Sequence, residues 1–176
     1  ENKMYDKSSD AYRKLYDITT KDDIRQLASE GYVEATLCHA TPSEIKALVD
    51  DVAAMEHASQ WAVRHSLLAK AHVLSDEGDM EEALAIYEEL SKERMTEEGA
   101  ESYYHLIEAK YNSGDYAVAE QMVYKFGDSG SMYWQAKAFI LLGDILVKMD
   151  NTFQARATYQ SIVDGYSPKD DGIVAE

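Results

Sequence analysis

The sequence predicts an all-α protein, an array of antiparallel helix hairpins stacked side by side, and three observations predict it. Helix breakers are scarce: 176 residues hold two prolines and nine glycines, which leaves room for long uninterrupted helices. Alanines recur every 36 residues, at Ala11, Ala47, Ala83, Ala119 and Ala155. Turn-and-restart signals stand just ahead of the later copies, as in EGDMEEAL at 77–84 and SGDYAVAE at 113–120. A regular period of this length is the mark of repeated supersecondary units.

The ladder extends beyond the alanines. Four residues after each stand Leu15, Asp51, Tyr87, Val123 and Tyr159; seven after stand Ile18, Ala54, Leu90, Phe126 and Ile162. Positions i, i+4 and i+7 share one helix face. A small residue there lets a neighbouring helix approach closely, and the larger ones fill the space beside it. Asp51 interrupts the series, so the second copy reads as degraded.

The elements follow in chain order. Helix 5–18 carries the first ladder, and helix 22–38 precedes the second. Helix 43–54 is announced by Thr41 as cap, Pro42 at the first helical position and Glu44. Helix 59–77 shows Leu67, Ala71 and Leu74 on one face. Gly78 suits the left-handed conformation that ends it, and Asp79 with Glu82 has capping-box spacing for helix 80–92. Helix 97–112 presents Tyr103, Leu106, Ile107 and Ala109, before Gly114 and Asp115 restart the chain as helix 116–126. Helix 132–149 presents Phe139, Leu142, Gly143 and Leu146, and Asn151 with Gln154 caps helix 152–164. GIVAE at 172–176 reads as the start of a further helix near 170–176. Every connection is short, as antiparallel neighbours require.

Phe139, Leu142, Gly143, Ala155, Tyr159 and Pro168, in this spacing, resemble a nearly complete tetratricopeptide repeat (TPR). The copy before matches through Tyr103, Leu106, Gly114, Tyr116 and Ala119, and the one before that through Gly78, Ala83 and Tyr87. The resemblance implies a right-handed α-solenoid covering 1–176 as a single array. It would comprise a lone second helix 5–18, a degenerate repeat 22–54, and repeats 59–92, 97–126 and 132–164. YWQAKAFILLGDILVK followed by FQARATYQSIVDGY is similar to large bacterial envelope-associated TPR proteins. That similarity implies a periplasmic or envelope setting, with the cytoplasm as the other option. The opening ENKMYDKSSD has neither an initiator Met nor an apolar signal stretch. The lone second helix 5–18 and the helix start at 172–176 lead to the expectation of a fragment of a longer solenoid, with uncapped ends that could pair two copies as a dimer.

In TPR proteins the first helix of each hairpin lines a concave binding face. Carried over residue by residue, this implies His65, Leu68, His72 and Asp76; then Glu101, Tyr104, His105, Glu108, Tyr111 and Asn112; then Lys137, Ile140, Asp144 and Lys148. Tyrosines offer rigid contact area at low entropic cost, although Tyr104 and Tyr111 equally suit a role covering the helix stack. TPRs that clamp carboxylate tails need Lys and Asn on one first helix, Asn on the next, and Lys and Arg on the third. The matching positions hold Leu68 and His72, then His105, then Lys137 and Leu141, so only Lys137 fits.

A formal charge of −16 argues against nucleic acid and anionic lipid as partners and in favour of basic or apolar protein surfaces. No apolar run approaches the roughly 20 residues of a membrane span. No phosphate-binding glycine loop, CxxC pair, HExxH or nucleophile elbow is present, so no catalytic residue, cofactor or metal is assigned. The nearest constellation is His65, His72 and Asp76 with His105 and Glu108, whose plainer reading is a solvated polar groove. Trp61, Tyr133 and Trp134 are expected to pack between repeats, His39 and His57 to lie on the surface, and Cys38, aligned with Leu74 and Leu146, to be a buried thiol. The expected function is a non-catalytic interaction scaffold for a partner helix or peptide. A ligand-free spacer within a larger envelope protein is the second reading, and a metal-binding or enzymatic module the third.

Overall fold

The structure, a computed structural model, describes residues 2–127, 129–168 and 171–175. Among them the fold is all-helical: α1 (Asn2–Ile18), α2 (Asp22–Leu37), α3 (Pro42–Ala53), α4 (Gln60–Glu77), α5 (Met80–Leu90), α6 (Glu97–Asn112), α7 (Tyr116–Tyr124), α8 (Met132–Lys148) and α9 (Thr152–Gly165), with 3-10 turns at Ser91–Glu93 and Ile173–Ala175. The further helix expected near 170–176 is that last turn; 169, 170 and 176 lie outside the described residues. The chain divides into two compact units, Glu1–Ile86 and Tyr87–Glu176, with the division inside α5.

The turns recur as expected. Gly78 and Gly114 take positive φ, 87° and 83°, and the third place in this series is held by a non-glycine, Asp150 at 60°. Each turn closes with the same backbone bond: Asp79 N–H to Leu74 O (2.8 Å), Asp115 N–H to Lys110 O (3.0 Å) and Asn151 N–H to Leu146 O (2.8 Å). This is the bond that ends a helix on a left-handed residue. The caps are less uniform. Asp79 and Asn151 accept the N–H of Glu82 and Gln154, each at 3.4 Å, and Thr41 with Glu44 forms a complete capping box. Asp115 stands at the N-cap, but its side chain makes no capping bond.

Burial divides the alanine ladder. Ala83, Ala119 and Ala155 are buried, and so are Tyr87, Leu90, Val123, Phe126 and Ile162; Tyr159 is half-buried. Ala11 and Ala47 are exposed, together with Leu15, Ala54 and Ile18, the last at 77%. The first two copies of the ladder are therefore corrected. In α3 the core face is Leu48 and Val52, continued by Met55 just after the helix. This is the same i, i+4, i+7 pattern one residue further on. Asp51 does not break this ladder: it faces outward and accepts a hydrogen bond from the Tyr32 hydroxyl at 3.2 Å. The cause lies at the cap, because Leu48 stands seven residues after Thr41 whereas Ala83 stands four after Asp79. Both spacings return to the same helix face.

In the first unit α1 packs on α2, and α2 on α3 and α4. Val33, Leu48, Val52 and Ala62 form one core cluster, and Tyr16, Ala28 and Met55 another. The Tyr16 hydroxyl accepts the His57 N–H at 3.0 Å, and Ser29 Oγ accepts the Ser59 N–H at 3.0 Å. Cys38 is exposed at the end of α2, contrary to the buried thiol expected. Its neighbour His39 pairs with Asp6 at 3.1 Å. In the second unit α8 packs against α6, α7 and α9, over a core that includes Ile107, Ala119, Val123, Phe126, Leu142, Ile145 and Ala155. Phe139, expected on that core face, is 40% exposed.

Candidate functional site

The polar faces of the first helices are positioned by their caps. Thr96 Oγ1 accepts the Gly99 N–H at 3.1 Å, and Ser131 Oγ accepts the Trp134 N–H at 3.3 Å while donating to Glu97 Oε1 at 3.0 Å. These bonds fix the starts of α6 and α8 and hence the rotation of the faces that follow.

On α6 the centre of the face is His105. Its Nδ1 lies 3.1 Å from Glu108 Oε2 and its Nε2 3.9 Å from Glu101 Oε1. The ring stacks on Tyr87 at 4.8 Å between centroids, with Tyr104 and Trp134 at 5.6 and 6.0 Å. Burial opposes charge on this imidazole, but its bonds to Glu101 and Glu108 outweigh burial and raise the pKa to about 9. The Glu108 carboxyl is lowered in turn by the hydrogen bond from His105 against its own burial, with help from the charges of His105 and Lys137. At neutral pH this is an imidazolium beside two carboxylates, with Nδ1 donating to Glu108 and Nε2 facing Glu101 at ion-pair distance.

On α8 the structure brings Ile140 and Asp144 to one open cavity of about 580 Å³, which α9 and the turn Ile173–Ala175 also line. Tyr159 Oη donates to Asp144 Oδ1 at 2.6 Å. Burial and this bond push the phenol far above its ordinary value. The bond depends on Gly143, since a Cβ there would stand 2.2 Å from Tyr159 Cε1. Beside it, Asp171 accepts the Tyr166 hydroxyl at 2.5 Å and the Ile173 N–H at 3.2 Å. Those bonds seat Ile173 against Ala136, Ile162 and Tyr166.

Two residues implied for the binding face are corrected. Leu68 is 4% exposed and Tyr104 is 8% exposed. Tyr104 belongs to the core cluster of its unit and packs on Trp134 at 5.3 Å, so it has little surface to offer a partner. His65, His72, His105, Glu108, Tyr111, Lys137 and Ile140 are half-buried, and Asp144 is exposed. His65 stacks on Trp61 at 4.5 Å, and Tyr111 meets Tyr116 at 5.6 Å. Tyr159 is expected from the sequence as a ladder and repeat-signature residue, not as part of a site. Its 15-residue reach to Asp144 left no signal except the glycine beside Asp144.

Compared with protein-family models, curated proteins and solved structures, the chain matches none. The likeness to tetratricopeptide repeats rests on the residues quoted above. Among the described residues no helix is long and apolar enough to cross a membrane.

Proposed function

We propose that this chain is a non-catalytic interaction scaffold, a TPR-like right-handed array of period 36 that binds a helix or extended segment of a partner protein along its first helices. The observation that carries the reading is the ordered polar and aromatic face of α6 and α8. Along it, half-buried His105, Glu108 and Tyr111 are followed by Ile140 and Asp144 at a cavity. Side chains already held by neighbours lose little entropy on binding, which favours recognition. The repeated turns at Gly78, Gly114 and Asp150 support the array.

The test is capture of a partner by wild type and by a Tyr111→Ala/Lys137→Glu variant, with helicity checked in both. The scaffold reading expects capture by wild type and its loss in the variant; equal capture counts against it. A second reading, a structural spacer, is favoured by one observation: Phe153 is 85% exposed on α9, and Phe139 and Val147 are exposed on α8. Large apolar side chains left exposed in this way suit packing against another protein element.

A further inference from the structure

The cavity between α8, α9 and the Ile173–Ala175 turn has a chemistry more specific than a general groove. Its walls are aliphatic, with Ile140, Ile162, Ile173 and Val174 among the lining residues, and Asp144 supplies its carboxylate. Asp144 is exposed, and among the described residues its hydrogen-bond donor is the Tyr159 phenol. Because Tyr159 is laid against Gly143, the carboxylate is pinned rather than free to rotate.

We propose that this cavity receives the side chain of an arginine or lysine from a partner segment, with the methylene stem against the isoleucines and the charged end on Asp144. The inference rests on the scaffold reading and names the residue type that reading leaves open. Long basic side chains pack their stems on apolar surface while their heads stay at a polar rim. Charge complementarity selects a cation over other occupants. The chain carries 33 acidic residues against 17 lysines and arginines, so its field attracts cationic segments and repels anionic ones. A wholly apolar side chain would take water from the exposed Asp144 carboxylate and replace it with nothing polar, which is costly.

The experiment is an NMR titration of the whole chain with butylguanidinium and, in parallel, with butylurea, its neutral near-isostere. Butylguanidinium is expected to shift the amide signals of Ile140, Asp144, Tyr159 and Ile173. It is expected to bind about threefold to fivefold more tightly than butylurea, the scale of an exposed ion pair. Asp144→Asn is expected to abolish that preference without changing the melting temperature. Shifts centred elsewhere, no shifts at all, equal affinity of the two probes, or a preference that survives Asp144→Asn each overturn the proposal. If Asp144→Asn does not fold, the wild-type comparison of the two probes decides alone. Failure here with partner capture still sensitive to Tyr111 and Lys137 rejects the cavity and leaves the scaffold standing.

Discussion

The ring of Tyr159 occupies the place where a side chain on Gly143 would begin, with Cε1 2.2 Å from the position of that missing Cβ. The glycine thereby joins α8 to α9 and aims the phenol at Asp144. Gly143→Ala gains about 1 kcal/mol of helix propensity and loses about 1–3 kcal/mol through overpacking, so the expected result is a net loss in urea denaturation. Gly31 provides the contrast. Its Cβ would stand 2.5 Å from Tyr12 Cε1, but Tyr12 is exposed and can swing into solvent. Gly31→Ala is therefore expected to be neutral or stabilising, and a loss equal to that of Gly143→Ala would contradict the account.

Asp150 carries the left-handed turn that Gly78 and Gly114 carry elsewhere, at φ 60°. A residue with a Cβ is strained there, and glycine is not. Asp150→Gly should raise stability by about 0.5–1 kcal/mol, reduced by the entropy glycine adds to the unfolded chain. Gly114→Ala, made at the equivalent turn, should lower stability by about 1 kcal/mol. Thermal denaturation of the two variants measures both signs.

The corrected register of α3 separates neighbouring residues. Leu48→Ala removes a buried side chain and should cost about 2–5 kcal/mol. Ala47→Gln changes an exposed position and should stay within about 0.5 kcal/mol. If the 36-residue ladder ran through Ala47 as first expected, the substitution there would be the damaging one.

His105 makes stability depend on pH in a defined direction. Its folded pKa, about 9, lies above the ordinary 6.5. The contribution is therefore complete below about pH 6.5 and is lost as pH rises through about 9. The unfolding free energy of wild type should fall over this window relative to a His105→Gln variant, by on the order of 1–2 kcal/mol once partial exposure is allowed for. Parallel curves for the two proteins would rule out the charged clamp.

Local signals explain why so much of the helix layout was readable. Helix ends are set within a few residues by a glycine in the left-handed region and an oxygen that accepts the next N–H, and both leave a mark in sequence. The ladder of α5, α7 and α9 was legible because cap and core keep one spacing in all three. It misled in α1 and α3, where alanine, a strong helix former in any environment, matched the interval while facing solvent. The spacing of Leu48 from Thr41 held the better register. The binding face was harder to read. Leu68 and Tyr104 occupy first-helix positions that packing buries, and no local pattern separates them from Tyr111. The Tyr159–Asp144 bond and the His105–Tyr87 stack join different helices and depend on how those helices pack.

The central claim, that partners meet the first helices and not the second, is tested most directly by site-specific photo-crosslinking in the organism that makes the protein. The crosslinker would replace Tyr111 or Lys148 on the proposed face, and exposed Gln121 or Gln160 on α7 and α9. The account predicts adducts with another polypeptide from positions 111 and 148 and little from 121 and 160. Adducts confined to 121 and 160, equal yields from all four, or none from any would contradict it.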